Sequence, residues 1–434
     1  MSKIMPLISA NFDKISPTSV KDYVNAGGYS GLRKALKMTA PEIIEEVKKA
    51  KLRGRGGAGY PVGSKWQHLL EIKNFPKYIV CNADEGEPGT FKDKLLLGKD
   101  PLRVIEGMTI AGYVFNARHG YIYIRGEYAA LLKVFQAAVD NAVKAGYLGE
   151  NILGSDFSYQ IHVMTGAGAY VCGENSTLLN SLEGKAGRPR VKPPHLAEVG
   201  LFGQPTLVNN VESFANIPTI VQIGGEKFLS YGTAESGGTK LVCLSGNVAN
   251  PGTYEVPFGL TLRDLIFDEE LGGGPSGEKK LKFFHLGGQS GACGFLPQLD
   301  TTYCYQALRE KGLSVGSGAI VVMDESVCLI DYLKIVMEFF IHESCGKCTP
   351  CREGTKQIYA LLDKFSQGTA TEDDVLMLQR LSNLTAKASF CGLGQAAATA
   401  LSSSLQNMRS EFEAHLKGQC PAGVCFTKRE SGEK

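Results

Sequence analysis

The sequence predicts an α/β protein that combines a largely parallel sheet, a small mixed sheet and a C-terminal four-helix bundle. Three observations support this fold class: strand and helix patterns alternate from about residue 71, short strand patterns surround one short helix pattern from about residue 240, and the last hundred residues have a helical period. Strands that alternate with helices form right-handed crossovers, so we expect helices on both faces of the first sheet.

Four segments follow from these patterns. Residues 1–70 are mainly helical and end in the glycine-rich stretch "RGRGGAGYPVG". Residues 71–239 contain the strand patterns "KYIV", "GYIYIR" and "YQIHVMTG", each followed by a helix pattern. Residues 240–325 predict the mixed sheet, with "KLVCLSG", "KLKFFHLGG" and "AIVVMD" as strands. Residues 326–434 contain four stripes of apolar residues at helical spacing and predict the bundle.

Composition excludes several classes of protein. The chain has 434 residues, of which 43% are hydrophobic and 21% charged, so it can bury a sizeable core. A formal net charge of +2 provides no basic surface for nucleic acid. The N-terminus has no signal or transit pattern, and nowhere do 18 uncharged apolar residues follow one another. We therefore expect a cytoplasmic protein that binds no nucleic acid and does not insert into a membrane.

The stretch "CGKCTPCREG" places Cys345, Cys348 and Cys351 at Cys-x-x-Cys-x-x-Cys spacing, between the first and second bundle helices. Cys391, in "SFCGLGQ" between the third and fourth helices, is the best candidate for a fourth ligand. Three closely spaced cysteines with one distant partner are typical of a four-iron, four-sulfur cluster. A zinc site or unrelated thiols are the alternatives, although zinc sites usually present two separated pairs.

The other cysteines predict no chemistry. The twelve cysteines of the chain argue against a disulfide framework in the cytosol. Cys420 and Cys425, in "GQCPAGVC", could act as ligands, but we interpret them as thiols of the C-terminal tail. Six more stand singly in apolar or glycine-rich surroundings and are interpreted as small buried thiols. These six are Cys81, Cys172, Cys243, Cys293, Cys304 and Cys328.

The glycine-rich loop has Gly-x-Gly-x-x-Gly spacing at Gly54, Gly56 and Gly59, but a helix pattern precedes it, whereas a dinucleotide fingerprint follows a strand. Its backbone N–H groups, with Arg55 and Lys65 as cations, could hold a phosphate. A flexible surface turn is the alternative.

Polar residues follow the strands at the ends where open α/β sheets bind ligands. Three groups share this position: Asn82, Asp84, Glu85 and Glu87; Tyr170, Glu174 and Asn175; Asn209 and Asn210. Such residues can hydrogen-bond a flavin or nicotinamide and tune its potential. Solvated loops are the alternative.

Six motifs in order, "GRGGAGYPVGSKW", "CNADEGEPGTFKDK", "GAGAYVCGENSTLLNSLEG", "PTLVNNVES", "ESCGKCTPCREGT" and "FCGLG", closely resemble the NADH-binding flavoprotein of respiratory complex I, the F-type component of the bacterial NADH:quinone oxidoreductase. The resemblance covers nearly the whole chain. It implies a Rossmann-like FMN-binding domain over 71–239, a ubiquitin-like SLBB domain over 240–325 and a bundle over 326–434 that holds a 4Fe-4S cluster on Cys345, Cys348, Cys351 and Cys391.

The resemblance also implies binding residues and no catalytic residue. The FMN site would comprise Gly54, Arg55, Gly56, Gly57, Lys65, Asn82, Asp84, Glu85, Tyr170, Gly173, Glu174, Asn175, Val208, Asn209, Asn210 and Ser213. The NADH site would comprise Tyr60, Lys65, His68, Glu87, Glu174, Asn175 and His195. Within it, Glu87 and Glu174 would face the nicotinamide and its ribose, and Tyr60, His68 and His195 would stack on the adenine.

Two departures from the family pattern concern NADH. Histidines stand at His68 and His195 where phenylalanine is usual, so adenine affinity is expected to depend on pH near the histidine pKa. Where the family commonly has Gly-Glu-Glu, this chain has Gly173-Glu174-Asn175. The lost carboxylate would weaken the repulsion that excludes a 2′-phosphate, so discrimination against NADPH is expected to be weaker.

By the resemblance, a hydride passes from NADH to FMN, and single electrons then pass to the cluster and to a partner. The implied partners are a small 2Fe-2S protein of the E type, forming a heterodimer, and the larger iron–sulfur component of complex I. The chain would lie at the cytoplasmic face of the inner membrane through that complex. A diaphorase component of an NAD-linked hydrogenase or formate dehydrogenase is the nearest alternative. A zinc-stabilised nucleic-acid-binding protein is a remote one.

Overall fold

A computed structural model describes residues 2–426 of the chain. Contacts divide it into two compact units. Unit 1 contains Met1–Gly86, Thr90–Val242 and Thr253–Gly259, and unit 2 contains Glu87–Gly89, Cys243–Gly252 and Leu260–Lys434. The last eight residues of the predicted bundle domain, 427–434, lie outside the described residues.

The helices of unit 1 surround a parallel sheet. They are α1 (Val20–Asn25), α2 (Ser30–Ala35), α3 (Ala40–Lys49), α4 (Val62–Glu71), α5 (Lys92–Lys99), α6 (Pro101–Val114), α7 (Ala129–Lys144), α8 (Asn175–Leu182), α9 (Val211–Ile223) and α10 (Gly225–Leu229). Helix α3 starts where the sequence predicts it, because Thr39 and Glu42 form a capping box and a proline follows Thr39 by two positions. The glycine-rich loop connects α3 to α4.

The sheet of unit 1 has four strands in the order β3-β2-β1-β4, and all three neighbouring pairs are parallel. The strands are β1 (Tyr78–Ala83), β2 (His119–Ile124), β3 (Gln160–Thr165) and β4 (Thr206–Asn210). Along β1, Ile79 and Cys81 enter the larger apolar core, whereas Val80 enters a second cluster with Tyr123 and Val208. Both faces of the sheet are therefore covered, which confirms the predicted Rossmann-like α/β class.

Unit 2 contains the mixed sheet and the C-terminal helices. Its elements are β7 (Leu281–Leu286), β8 (Ala292–Phe295), β9 (Ala319–Asp324), α11 (Leu262–Phe267), α12 (Tyr305–Glu310), α13 (Leu329–Glu343), α14 (Thr349–Arg352), α15 (Gly354–Gln367), α16 (Glu372–Ala388), α17 (Gly392–Ala396), α18 (Thr399–Asn407) and α19 (Arg409–Leu416). Strands β5 (Thr239–Gly246) and β6 (Gly252–Pro257) each extend across the division of the chain. Strand β9 pairs in parallel with β5 and antiparallel with β7, and β7 pairs antiparallel with β8.

The four predicted helical stripes lie in α13, α15, α16 and the pair α18–α19, which confirms the helical bundle. The buried side chains include Leu333, Leu362, Leu378 and Leu401. The fourth helix is not continuous, because Met408 has φ −134° and ψ 41°, outside the helical region. A stripe of apolar side chains does not reveal such a break, since α19 resumes one residue later.

Among residues 2–426, no helix combines the length and the apolarity that crossing a bilayer requires. The bounds of the four predicted domains stay a prediction.

Candidate functional site

Two asparagines lie side by side at the carboxyl edge of the parallel sheet. Asn82 of β1 and Asn210 of β4 are partners in the strand register. The Asn82 amide donates to the carbonyl of Gly173 (2.8 Å) and to Asn175 Oδ1 (3.3 Å). The sheet edge thus brings together the residues after β1, after β3 and at the end of β4, as the sequence predicts for a ligand site.

Asn210 connects a strand end to two helices. Its Oδ1 accepts from the backbone N–H of Glu212 (3.0 Å) and so caps α9, and its amide donates to Asp93 Oδ2 (2.6 Å) in the first turn of α5. Lys92 Nζ donates to Asp93 Oδ1 (2.7 Å) and to Asn210 Oδ1 (3.3 Å). Both amide atoms of Asn210 are therefore engaged by the protein.

A buried ionic network lies behind this edge. Glu212 is 0% exposed and forms ion pairs with Lys92 (3.1 Å) and Lys240 (2.6 Å), which are also buried. Burial alone would raise the pKa of Glu212, but Lys240 and Lys92 hold it below its usual range. The network was not predicted from the sequence, because helical and strand periods do not reveal which charges are buried.

The glycine-rich loop is anchored by the side chain of Arg55, which points into unit 1. Its guanidinium is 0% exposed, donates to the carbonyls of Gly237 (3.0 Å) and Thr239 (2.9 Å), and lies 4.8 Å from the ring centroid of Phe258. Its backbone N–H donates to Ser213 Oγ (2.9 Å). The guanidinium thus fixes the loop, and the loop backbone is the part that can face a phosphate.

Two glycines of the loop have features that suit a phosphate cradle. Gly57 has φ 134°, and a Cβ there would meet nothing within 4 Å. A Cβ at Gly56 would lie 3.1 Å from the Cβ of Asn210, so this glycine permits close approach of the loop to β4. Gly54 closes the loop by donating its N–H to the carbonyl of Tyr60 (2.9 Å).

Lys65, on α4, is the cation next to this loop. Its Nζ donates to the carbonyl of Val208 (3.0 Å). Burial and, to a lesser degree, Lys192 lower its pKa to about 8. An anion bound beside Lys65 would favour the charged form and offset this desolvation.

Glu85 shapes the loop after β1. It accepts from the backbone N–H groups of Asp93 (2.8 Å) and Lys94 (3.0 Å) in the first turn of α5 and from the hydroxyl of Tyr128 (3.0 Å). Burial, reinforced by Asp93, raises its pKa to about 7. Arg125 donates to its carbonyl oxygen. The Glu85 carboxylate therefore positions the loop that carries Asp84.

The segment after β3 lines another side of the candidate site at the sheet edge. Glu174 caps α8 by accepting from the N–H of Thr177 (2.9 Å), and it accepts from Lys192 Nζ (2.8 Å). Burial would raise the pKa of Glu174, but Lys192 and the hydroxyl of Ser176 lower it. Tyr170 packs against Gly86, where a Cβ would lie 3.1 Å from the tyrosine ring.

The remaining predicted ligands of unit 1 differ in exposure. Val208, Asn209 and Ser213 are buried, and the Asn209 amide, oriented to satisfy its neighbours, accepts from Trp66 Nε1 (3.0 Å). The predicted adenine-stacking residues Tyr60, His68 and His195 are exposed, as stacking on a planar ligand requires.

Glu87 belongs to unit 2. Its Oε1 accepts from the N–H of Ser290 (3.0 Å). A Cβ at Gly288 would lie 2.1 Å from Glu87 Cγ, and Gly288 has φ 90°. Glycine is therefore required there for the carboxylate to lie against this turn.

The four predicted cluster cysteines come together in unit 2. Cys345 and Cys348 precede α14, Cys351 lies within it, and Cys391 immediately precedes α17. Burial and the neighbouring sulfurs of Cys348, Cys391 and Cys345 raise the pKa of the Cys351 thiol, although the Ser344 hydroxyl lowers it. The backbone N–H of Phe390 donates to Cys348 Sγ (3.4 Å), which joins the two loops directly.

The surroundings of these cysteines fit an iron–sulfur cluster. A Cβ at Gly394 would lie 2.9 Å from the Cβ of Cys351, so the glycine lets α17 approach α14. Lys347, the residue before Cys348, has its Nζ 3.9 Å from the ring centroid of Phe390, the residue before Cys391. Backbone donors and nearby cations stabilise such clusters and tune their potentials.

Cys328 is buried, as the sequence predicts, but Cys328, Cys420 and Cys425 lie close together. Their sulfur atoms and His415 form a group whose potential ligand atoms all lie within 4.8 Å of one another. The spacing His415-x4-Cys420-x4-Cys425 is the signal that could have indicated it. Cys328 is distant in sequence, and only the fold reveals its contribution.

Family models match three parts of the chain. Residues 47–219 match the Nuo51 FMN-binding domain, residues 241–290 match the SLBB domain, and residues 331–415 match the NADH-ubiquinone oxidoreductase-F iron-sulfur binding region. These parts contain the sheet edge, part of the mixed sheet and the four clustered cysteines described above.

Whole-chain comparisons agree with these matches. The chain is 44% identical to NADP-reducing hydrogenase subunit HndC of Solidesulfovibrio fructosivorans, over 98% of this chain and 86% of that protein. It is 43% identical to the second of the NADH-quinone oxidoreductase F-type subunits of Rhizobium meliloti, over 96% of this chain and 99% of that protein. A crystal structure of an NAD+-reducing [NiFe]-hydrogenase matches with a TM-score of 0.83 and 34% identity, over 95% of this chain and 67% of that chain. The chain belongs to the family of flavoproteins that includes the F-type subunits of NADH-quinone oxidoreductases.

Proposed function

We propose that this chain is the NADH-oxidising, electron-input subunit of an NADH:quinone oxidoreductase. The observation that carries the proposal is the presence, in one chain, of an FMN-type sheet edge and four clustered cysteines. When bound, FMN supplies the conversion of a two-electron donor into single-electron steps, and a 4Fe-4S cluster accepts electrons one at a time.

The residues of the chain position and tune these groups. The loop from Gly54 to Gly59 would hold the phosphate with its backbone N–H groups, with the Lys65 ammonium beside them. Asn82, Asp84 and Glu85 would line the flavin. Because the reaction needs no protein nucleophile, we assign binding residues and no catalytic residue.

The proposed NADH site uses Tyr60, His68 and His195 for the adenine and Glu87 and Glu174 for the nicotinamide riboside. The exposure of the three rings supports the stacking role. The thiolates of Cys345, Cys348, Cys351 and Cys391 would hold the cluster.

A partner with its own iron–sulfur centres is required, because electrons must leave the cluster. We propose the small 2Fe-2S protein of the E type as heterodimer partner, the larger iron–sulfur component of complex I beyond it, and a peripheral place at the cytoplasmic face of the membrane.

A second candidate is the corresponding component of a pyridine-nucleotide-linked hydrogenase. The 44% identity to a hydrogenase protein supports this candidate. Purification of the native complex separates the two. A complex that reduces quinone and neither evolves nor consumes hydrogen supports the first, and a complex that evolves or consumes hydrogen supports the second.

The shared chemistry is tested anaerobically on the purified chain with its small partner. NADH should bleach the flavin absorbance, and dithionite should produce the low-temperature EPR signal of a reduced four-iron cluster. A preparation without flavin and without cluster iron would overturn both candidates.

A further inference from the structure

A second group of metal ligands lies in unit 2, separate from the cluster cysteines. We propose that Cys328, His415, Cys420 and Cys425 bind a structural zinc ion. Their potential ligand atoms lie within 4.8 Å of one another. Cys328 Sγ lies 3.3 Å from His415 Nε2 and 3.6 Å from Cys425 Sγ.

These distances match one tetrahedral ion. Zinc–sulfur bonds of about 2.3 Å at tetrahedral angles separate two sulfurs by about 3.8 Å. In a four-iron cluster each cysteine binds a different iron atom, so the sulfurs stand farther apart. Three cysteines and one histidine are a common ligand set of structural zinc sites.

His415 directs its Nε2 atom, which can bind zinc, toward the three sulfurs. The ring of His415 is 0% exposed, and its Nδ1 lies 2.7 Å from the carbonyl oxygen of Glu411. Because a carbonyl can only accept, Nδ1 carries the proton and Nε2 directs its lone pair toward the three sulfurs. An outer carbonyl that fixes the tautomer in this way is a usual feature of zinc-bound histidines.

A half-buried lysine supports the site from outside. Lys282 Nζ forms an ion pair with Glu411 Oε1 (2.9 Å) and donates to the carbonyl of Val327 (3.0 Å). It therefore holds the residue before Cys328 and the residue that orients His415. Zn²⁺ with three thiolates has a net charge of −1, which the Lys282 ammonium would offset.

The site joins segments distant in sequence. Cys328 precedes α13, His415 lies in the last turn of α19, and Cys420 and Cys425 lie in the irregular segment after α19. Cys328 and Cys425 are buried. Four protein ligands leave no open coordination position, which favours a structural over a catalytic ion. The ion would fasten the segment 418–426 to the start of the bundle.

The test uses the full chain purified with flavin and iron–sulfur cluster. We expect one zinc per chain beside the four cluster irons by elemental analysis, and a zinc-edge absorption spectrum with three sulfurs at about 2.3 Å and one nitrogen at about 2.0–2.1 Å. Cys420→Ser should lose most of the zinc and keep the iron, whereas Cys345→Ala should lose the iron and keep the zinc. Cys304→Ser, at a buried cysteine outside both groups, should keep both metals.

His415→Cys provides a variant that retains binding, since a fourth thiolate also suits zinc. If Cys420→Ser does not fold, the spectrum of the unaltered chain decides alone. Three results would overturn the proposal: iron in place of zinc at the site, a Cys328–Cys425 disulfide in metal-free protein, or full zinc content in Cys420→Ser.

Discussion

At the scale of single residues, several polar side chains of the proposed site already form hydrogen bonds within the protein. Asn210 caps α9 and bonds Asp93, Asn209 accepts from Trp66, and Arg55 is directed into unit 1. The sequence motifs locate these residues at the site but do not tell which atom faces a ligand. Lys65 and Asn175 lead to the two predictions at this scale.

FMN affinity should fall above pH 8. The pKa of Lys65 is lowered to about 8, so the free chain loses this positive charge as pH rises through that value. A phosphate prefers the charged lysine, and binding above pH 8 must therefore take up a proton. Fluorescence titration of apoprotein from pH 7 to 9.5 should show a constant dissociation constant below the pKa and a rise approaching tenfold per pH unit above it.

Two controls separate the effect of Lys65 from other causes of pH dependence. Lys65→Arg keeps its charge over this range and should remove the pH dependence, and riboflavin, which has no phosphate, should show none with the unaltered chain. An equal slope with riboflavin would refute the assignment of Lys65 to the phosphate.

Asn175 should determine how strongly NADPH is rejected. A carboxylate at this position would repel a 2′-phosphate, so Asn175→Glu should raise the NADH-to-NADPH ratio of kcat/KM by roughly tenfold. Asn175→Gln has nearly the same size without the charge and is the matched control. If both variants change the ratio equally, the effect arises from shape or from the lost bond to Asn82, and the electrostatic explanation is wrong.

At the scale of elements, the periodicity of apolar residues predicted most of the helices and strands. It did not predict features that depend on the backbone conformation or the contacts of a single residue. The stripes of apolar residues located the bundle helices, but the break at Met408 changes the phase of the stripe too little to be visible. The cysteine spacing located the cluster loops within α13–α17. It did not reveal Cys328 with His415, because their contact depends on how α13 and α19 pack.

The approach of α17 to α14 should depend on Gly394. A Cβ at Gly394 would lie 2.6 Å from Ser389 Cβ and 2.9 Å from Cys351 Cβ, so Gly394→Ala must displace one of the cluster loops. We expect at least half of the cluster iron to be lost and the reduced-cluster EPR signal to fall in proportion. Gly392→Ala, where a Cβ would meet nothing within 4 Å, should retain both. Unchanged iron in Gly394→Ala would show that the loops tolerate the methyl group.

At the scale of the whole molecule, the chain assigns different tasks to its two units. The parallel sheet with the proposed FMN phosphate loop belongs to unit 1, and the four clustered cysteines belong to unit 2. The order of the FMN-binding and cluster-binding parts was predictable because long sequence motifs identify each of them. The motifs also predicted an F-type subunit of an NADH-quinone oxidoreductase, and the similar proteins agree with this, although one hydrogenase protein matches at 44% identity.

This division predicts that loss of the cluster separates two activities. Cys391→Ala removes one of four thiolates and should lower the cluster iron, because the remaining three cannot complete the ligand set. NADH-driven reduction of ferricyanide, which can take electrons directly from a flavin, should keep at least half of its kcat. Reduction of the partner's 2Fe-2S centre by NADH, followed by EPR, should fall more than tenfold. Cys304→Ser should leave both rates unchanged. If Cys391→Ala abolished the ferricyanide activity while flavin content stayed normal, electrons would have to leave through the cluster even to a small acceptor, and the flavin could not be the direct donor proposed here.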